Sequence, residues 1–281
     1  MKRLRIRHIT GFHYDGQVTA SYNEARMLPA SSDVQLVLFS NLEILPISGH
    51  HSYVDYWGTR VSSFEIVTPH KELSLTATSL VEVRPREHAE VTLSWAELAV
   101  ALEESTATVE QLEQTPRTRP PEELAELARS IADTAGSPAE AALAIAHAIG
   151  ERIEYRPGVT GVHTTATEAW AQGKGVCQDI THLALGALRS VGIPARYVSG
   201  YLHPVAEPAI GQTVAGESHA WVEWFTGDWH AFDPTNHIEI GDRHVTVGRG
   251  RDYNDVAPLR GVYAGPYGSK LFVTVEITRE A

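Results

Sequence analysis

Residues 173–202 read GKGVCQDITHLALGALRSVGIPARYVSGYL and contain Cys177, the one cysteine in a chain of 281 residues. A Gly-rich turn is followed by an apolar stripe at helical spacing: Ile180, Leu183, Ala184, Ala187, Leu188 and Val191. Gly192 and Pro194 then punctuate the chain before the strand-like run ARYVSGYL. The pattern predicts a helix that begins within a residue of Cys177, stops at Gly192 and is followed by a strand. A cysteine at such a start meets unpaired backbone N–H groups and the positive end of the helix dipole. That setting favours the nucleophilic thiolate, and the same N–H groups can donate to an oxyanion. A structural cysteine would sit more naturally on the buried stripe, for instance at Ala184, although a lone cysteine is also simply a small hydrophobe.

A nucleophilic thiol needs a base, and the base needs an orienting partner. With 14 histidines in the chain, one histidine alone carries little weight. The stretch SHAWVEWFTGDWHAFDPTN (218–236) says more, because it reads as a hairpin. His219, Trp221, Glu223 and Phe225 share one face of its first strand, and Trp229, Ala231 and Asp233 share one face of its second. A three-residue loop, Thr226-Gly227-Asp228, sets Asp233 opposite Trp221 and diagonal to His219, whereas a two-residue loop separates them. The sequence leaves that register open. In the first register Asp233 fixes the imidazole tautomer, His219 takes the thiol proton and Cys177 attacks. The plain alternatives are a strand histidine bonded to backbone and an aspartate that shapes the DPTN turn. His182 falls on the polar side of the Cys177 helix, where a solvated role is expected. A zinc site built on Cys177 and His182 lacks paired Cys/His spacing.

Further out, the first 115 or so residues have period two. RLRIR puts Leu4 and Ile6 on one face and Arg3, Arg5 and Arg7 on the other, and VQLVLFSNLEIL, TRVSSFEIV and ELSLTATSLVEVRP follow with β-branched and aromatic residues. Short strands in succession predict an antiparallel sandwich or curled sheet. TPRTRPPEE (115–123) changes the character of the chain, which gives an N-terminal β-rich domain over 1–116 and a second domain over 117–281. Leu124, Leu127, Ala128 and Ile131 then mark one helix, and Ser137-Pro138-Ala139-Glu140 opens another with its stripe at Ala142, Ile145, Ala146, Ile149 and Ile153. The strands ARYVSGYL, HAWVEWF, WHAFDP and KLFVTVEIT complete an α+β second half.

Composition bounds the partners. With 43% hydrophobic and 21% charged residues the chain has globular character, and its net charge of −12 argues against nucleic acid or an anionic membrane. The basic start MKRLRIRHIT lacks an apolar core and reads as a strand rather than an export signal. No run of about 18 apolar residues occurs. One cysteine cannot form an internal disulfide, so a reducing compartment, the cytoplasm, is the expectation.

Three linked segments, GKGVCQDITHLALGALRSVGIPARYVSGYL, ESHAWVEWF and WHAFDPTN, together resemble the transglutaminase-like superfamily of papain-like cysteine enzymes. RIRHITGFHYDGQVTASYNEARMLP resembles the β-rich leader of its bacterial branch, and GRDYNDVAPLRGVYAG (250–265) resembles that branch's tail. The resemblance implies a papain-like core with Cys177 as nucleophile, His219 as base and Asp233 as its orienter. It implies acyl transfer through a thioester on a peptide or carboxamide substrate, hydrolysis by a peptidase or amidase being expected ahead of amine transfer and cross-linking. Trp170, Gln172 and Tyr155 are candidates for a second oxyanion donor, Gln178 for substrate or backbone contact, and Arg251, Asp252 and Tyr253 for the cleft wall. No cofactor is expected, since neither an EF-hand loop nor a phosphate-binding loop occurs. Two other readings stand beside this one: a binding module that predicts an unreactive Cys177, and a metalloprotein using His50 and His51 that predicts bound zinc.

Overall fold

The computed structural model describes residues 1–85 and 92–281, so residues 86–91 of the expected N-terminal domain lie outside it. In chain order its elements begin with strands β1 (Lys2–Val18), β2 (Ala20–Ala25), β3 (Gln35–Leu45), β4 (His50–Val54), β5 (Arg60–Ile66) and β6 (His70–Val83). Helices α1 (Trp95–Glu104), α2 (Val109–Leu112), α3 (Glu122–Thr134) and α4 (Pro138–Arg152) follow, then β7 (Glu154–Tyr155), α5 (Ala166–Gln172), β8 (Lys174–Gly175) and α6 (Cys177–Ser190). The chain closes with β9 (Ala195–Leu202), β10 (Thr213–Gly216), β11 (Ser218–Phe225), β12 (Trp229–Asp233), β13 (Ile238–Glu239), β14 (His244–Gly250), α7 (Tyr253–Val256), β15 (Leu259–Ala264) and β16 (Ser269–Arg279). The architecture is α+β, with a β-rich N-terminal half and a papain-like core.

The strand β1 buries Leu4, Ile6, His8 and Thr10 and turns its arginines outward, as period two requires. It sits centrally in the sheet β10-β16-β1-β6-β3. One stretch of that sheet packs on β15-β2-β5-β4 through Tyr14, Val18, Phe64, Leu73 and Leu75, which makes the expected sandwich. The other stretch, through Leu4, Ile6, Val81 and Ile277, packs on Tyr201 and Val245 of the core sheet β13-β12-β11-β9-β14. The core helices cover the opposite face of that sheet. The expected stripe of α4 is buried there, and so is that of α6 except for half-buried Val191.

Three details differ from the sequence reading. The division at residue 116 does not separate the sheets, because β15 pairs with β2 and β16 with β1. The C-terminal strands KLFVTVEIT and LRGVYA thus complete the N-terminal sheets, where Val275 and Ile277 supply apolar side chains matching Leu4 and Ile6. Helix α1 lies inside the stretch read as strands, and its signal is the capping box of Ser94 and Glu97, in which Glu97 Oε2 accepts the Ser94 N–H at 2.8 Å. Thirdly, α6 is buried almost all round, including Asp179, Thr181, His182 and Arg189. Helices pack one side of it and the sheet the other, so it has no solvated face.

Candidate active site

Helix α6 starts at Cys177, with Val176 extended at its N-cap. Asp179, two residues on, turns its carboxylate back to accept the Val176 N–H at 2.8 Å and the Thr160 hydroxyl at 2.6 Å. The helix entry is therefore braced by a buried acid. Burial pushes the Asp179 carboxyl above its ordinary range, against the two bonds it accepts. Cys177 itself is half-buried, and it stands at the first helical position, where backbone N–H groups lack an acceptor one turn back.

The hairpin register left open by the sequence is the one that joins the pair. Phe225 faces Trp229 and Val222 faces Phe232, so a three-residue loop, closed by Thr226 N–H to the Asp228 carbonyl at 3.1 Å, brings Asp233 diagonal to His219. His219 Nε2 and Asp233 Oδ2 are 2.7 Å apart, with Asp233 fully buried. With Nε2 given to the carboxylate, Nδ1 is the ring nitrogen left for Cys177, which lines the same cleft. Burial disfavours a charged ring here, yet the bonds to Asp233 and Cys177 outweigh it and push His219 up to about 10. Burial likewise opposes the Asp233 charge, and the bonds from His219 and Asn236, with the His244 ring nearby, overcome it, holding the carboxyl well below its usual range.

The carboxylate is held from every side. Its Oδ1 accepts the N–H groups of Thr235 and Asn236 at 3.0 and 3.1 Å, and its Oδ2 accepts Asn236 Nδ2 at 2.8 Å. His244 takes the Gly241 N–H on Nδ1, which leaves a proton on Nε2 directed at Asp233 Oδ2, 3.7 Å away. The sequence reading missed His244. It has no motif around it and reaches Asp233 only because β14 lies in the same sheet.

The remaining candidates separate. Tyr155 lines the cleft with Cys177 and His219, and its hydroxyl donates to Glu217 at 3.3 Å. Burial and the negative charges of Cys177 and Glu217 raise the Tyr155 phenol, so it stays a donor. Trp170 does not reach the cleft: it is buried in the helical core, with its indole N–H on Glu123 at 3.1 Å. Gln172 is exposed at the end of α5 and lines no part of the site, because the left-handed turn at Gly173 carries the chain away from it towards Cys177. Gln178 and Tyr253 line the cleft, while Arg251 and Asp252 do not; Arg251 pairs with Asp255 at 2.9 Å and Asp252 caps α7. His182, expected to be solvated, is fully buried and accepts the Tyr253 N–H at 3.2 Å on Nε2. Burial, together with Arg117 and Arg189, lowers it to about 3, so it is a neutral strut under the cleft wall.

The cleft has a volume of about 540 Å3 and is walled on one side by α6 and β11, and on the other by His8 and Thr10 of β1 and Leu271, Val273, Thr274 and Val275 of β16. The N-terminal sheet is therefore part of the site. A second cleft of about 760 Å3 adjoins it, and Tyr155, Ala215, Gly216, Glu217 and His219 line both. Among the described residues no group of three or more His, Cys, Asp or Glu is arranged around a metal position. His50 and His51 stand exposed on β4.

Comparison with known proteins shows the family. Residues 125–234 match the transglutaminase-like superfamily, and residues 4–82 match the bacterial transglutaminase-like N-terminal region. An uncharacterised protein of Mycobacterium leprae is 43% identical over 285 residues, covering 100% of both chains. One from Mycobacterium tuberculosis is 33% identical over 294 residues, covering 98% of this chain and 92% of its own. A solved structure from Cytophaga hutchinsonii, provisionally described as a cysteine protease, superimposes with a TM-score of 0.79 at 21% identity, over 100% of this chain and 91% of that one. The chain belongs to the transglutaminase-like superfamily and carries that family's bacterial N-terminal region.

Proposed function

We propose that the protein is a cysteine-dependent acyl-transfer enzyme that hydrolyses peptide or carboxamide bonds through a thioester. The observation behind this reading is the Cys177 thiol at a helix start, lining one cleft with an imidazole that stands 2.7 Å from a buried carboxylate. The Cys177 thiolate attacks the substrate carbonyl carbon, and the charged His219 ring is the counter-ion which that form requires. The oxygen that gains charge meets the N–H groups at the start of α6, and the Tyr155 hydroxyl, once it turns from Glu217, is the second donor. Collapse breaks the C–N bond, and the departing amine takes the proton from His219. Neutral His219 then draws a proton from water as that water attacks the thioester, and the acid leaves with Cys177 restored. Water is the favoured acceptor because the cleft is open to solvent, Tyr155 at its mouth being 43% exposed. An amine at the same step would give cross-linking. A peptide or protein is the expected substrate, and the cytoplasm suits an unpaired reactive thiol. No helix among the described residues is long and apolar enough to cross a membrane.

The test is iodoacetamide alkylation of Cys177 between pH 4 and 9, in the wild type and in His219→Ala. At pH 6 the wild type is expected to label about 10- to 100-fold faster than the variant, because an ion-paired thiolate replaces a largely protonated thiol. Equal rates at every pH, or no labelling, would remove the nucleophile from this reading. Amide hydrolysis with and without an added amine then separates the two acceptors.

Acid catalysis also has a signature. The leaving amine needs the protonated ring, which exists below the His219 value of about 10 and is lost above it. The alkaline limb of kcat/KM is therefore expected near pH 10, and a limb at the ordinary imidazole value would contradict the assignment. The same raised value stabilises the fold fully below pH 6.5, and that contribution fades as pH climbs towards about 10.

A further inference from the structure

Glu217 and Glu223 stand in alternation with His219 and Trp221, on the same side of β11 and of the residue that precedes it. Their surroundings are opposite. Glu223 is 2% exposed and gripped by Arg196 at 2.5 Å and Arg249 at 2.9 Å. Glu217 is exposed, and its hydrogen bond is to the Tyr155 phenol; among the described residues no Lys or Arg lies within ion-pair distance of it. It is also the one carboxylate residue among those lining the two adjoining clefts. The charged ring of His219, two residues away, is already met by Asp233 and Cys177. The cation on the wall of the second cleft, Arg243, donates to the carbonyls of His203 and Pro204. A carboxylate without a cation thus stands where the clefts meet, lining the same cleft as the reacting sulfur.

We propose that Glu217 sets the substrate preference of the site by binding a protonated primary amine of the substrate, either a free amino terminus or a lysine ammonium. Neutral or anionic groups at that point meet an uncompensated negative charge, whereas an ammonium forms the ion pair that the chain itself leaves open. The reaction served is the acyl transfer proposed above, on which this assignment rests, but the charge preference is measurable without turnover.

Two thiol reagents of similar size, 2-aminoethyl methanethiosulfonate (cationic) and 2-sulfonatoethyl methanethiosulfonate (anionic), each form a mixed disulfide with Cys177 and release methanesulfinate. Their rate ratio on the full chain, divided by that on 2-mercaptoethanol, measures the local potential. Glu217→Gln is expected to lower the ratio about tenfold, the size of one charge acting over several ångströms at intermediate dielectric. Glu126→Gln, an exposed charge on α3, is expected to leave it unchanged. A ratio in Glu217→Gln equal to that of the wild type overturns the proposal. Glycinamide and Nα-acetyl-lysinamide, added as competitors, distinguish the amine. Protection by the first, lost in Glu217→Gln, identifies an amino terminus, and protection by the second identifies a lysine. Protection that survives the substitution, or none from either compound, counts against Glu217. Failure of the acyl-transfer reading shows elsewhere, in neutral iodoacetamide labelling that ignores His219→Ala.

Discussion

Asp233→Asn is expected to lower turnover by about 10^3- to 10^4-fold with little change in fold, as loss of the orienting carboxylate does in related constellations. The reason lies in which oxygen does what. Oδ1 accepts two backbone N–H groups, from Thr235 and Asn236, and Oδ2 faces His219 Nε2 and Asn236 Nδ2. An asparagine must keep its carbonyl oxygen towards the two N–H donors, or leave both of them facing an NH2 group. Its amide nitrogen then points at His219 and asks Nε2 to accept. The imidazole answers by moving its proton to Nδ1, the nitrogen that faces Cys177, and can no longer take the thiol proton. The alkaline limb near pH 10 should fall towards 6.5 at the same time, since the bond from Asp233 heads the causes that raise His219. Steady-state kinetics across pH checks both effects, and circular dichroism checks the fold. Turnover within tenfold of the wild type would mean that Asp233 is a turn residue and not a partner of the base.

How much of this was legible in the sequence depends on the range of each interaction. The start of α6 at Cys177 was readable because caps, stripes and stop signals are local, and so was the buried stripe of α4. The His219–Asp233 pair was readable as an option only: its register turned on whether the loop held two residues or three, and the observed loop uses Gly227 at φ 113. The segments that carried the family resemblance hold Cys177, His219 and Asp233, and the structure sets His219 2.7 Å from Asp233 and lines one cleft with His219 and Cys177. The errors were long-range. His182 sits at a polar-looking helix position, yet Tyr253, 71 residues later, returns to cover it. The strands β15 and β16 read as the end of the second domain, and only pairing with β1 and β2 shows that they belong to the first sheets. Trp170 and Gln172 stood near Cys177 in sequence, but the turn at Gly173 separates both from the cleft. The wall contributed by β1 and β16 was invisible, because no local pattern says which sheet a strand will face.

The second large effect concerns stability rather than chemistry. Glu223→Ala is expected to destabilise the protein by about 3 kcal/mol, the low end for breaking a buried ion pair by removing one partner. The carboxylate is 2% exposed, and its Oε2 takes Arg196 Nε at 2.6 Å and Arg249 Nε at 2.9 Å while Oε1 takes Arg249 Nη2 at 3.1 Å. Arg196 belongs to β9 and Arg249 to β14, so one side chain of β11 ties three strands of the core sheet together. Burial opposes the Arg249 charge, and Glu223 outweighs it. Without the carboxylate two guanidiniums face each other across the sheet. The guanidiniums are 21% and 30% exposed, and Arg196 also stacks 3.7 Å over the Trp229 ring, which limits the loss to the low end. Glu223→Gln keeps the acceptor but not the charge and should cost roughly half as much. Urea unfolding followed by circular dichroism measures both, and a loss below about 0.5 kcal/mol for the alanine variant would show that the cluster contributes no more than an exposed pair. Alkylation of Cys177 in the folded variant should stay within a few-fold of the wild type, because the His219–Asp233 register is set by the loop at Gly227 and not by Glu223. That contrast separates the carboxylate that holds the sheet from Glu217, the one the sheet presents to the cleft.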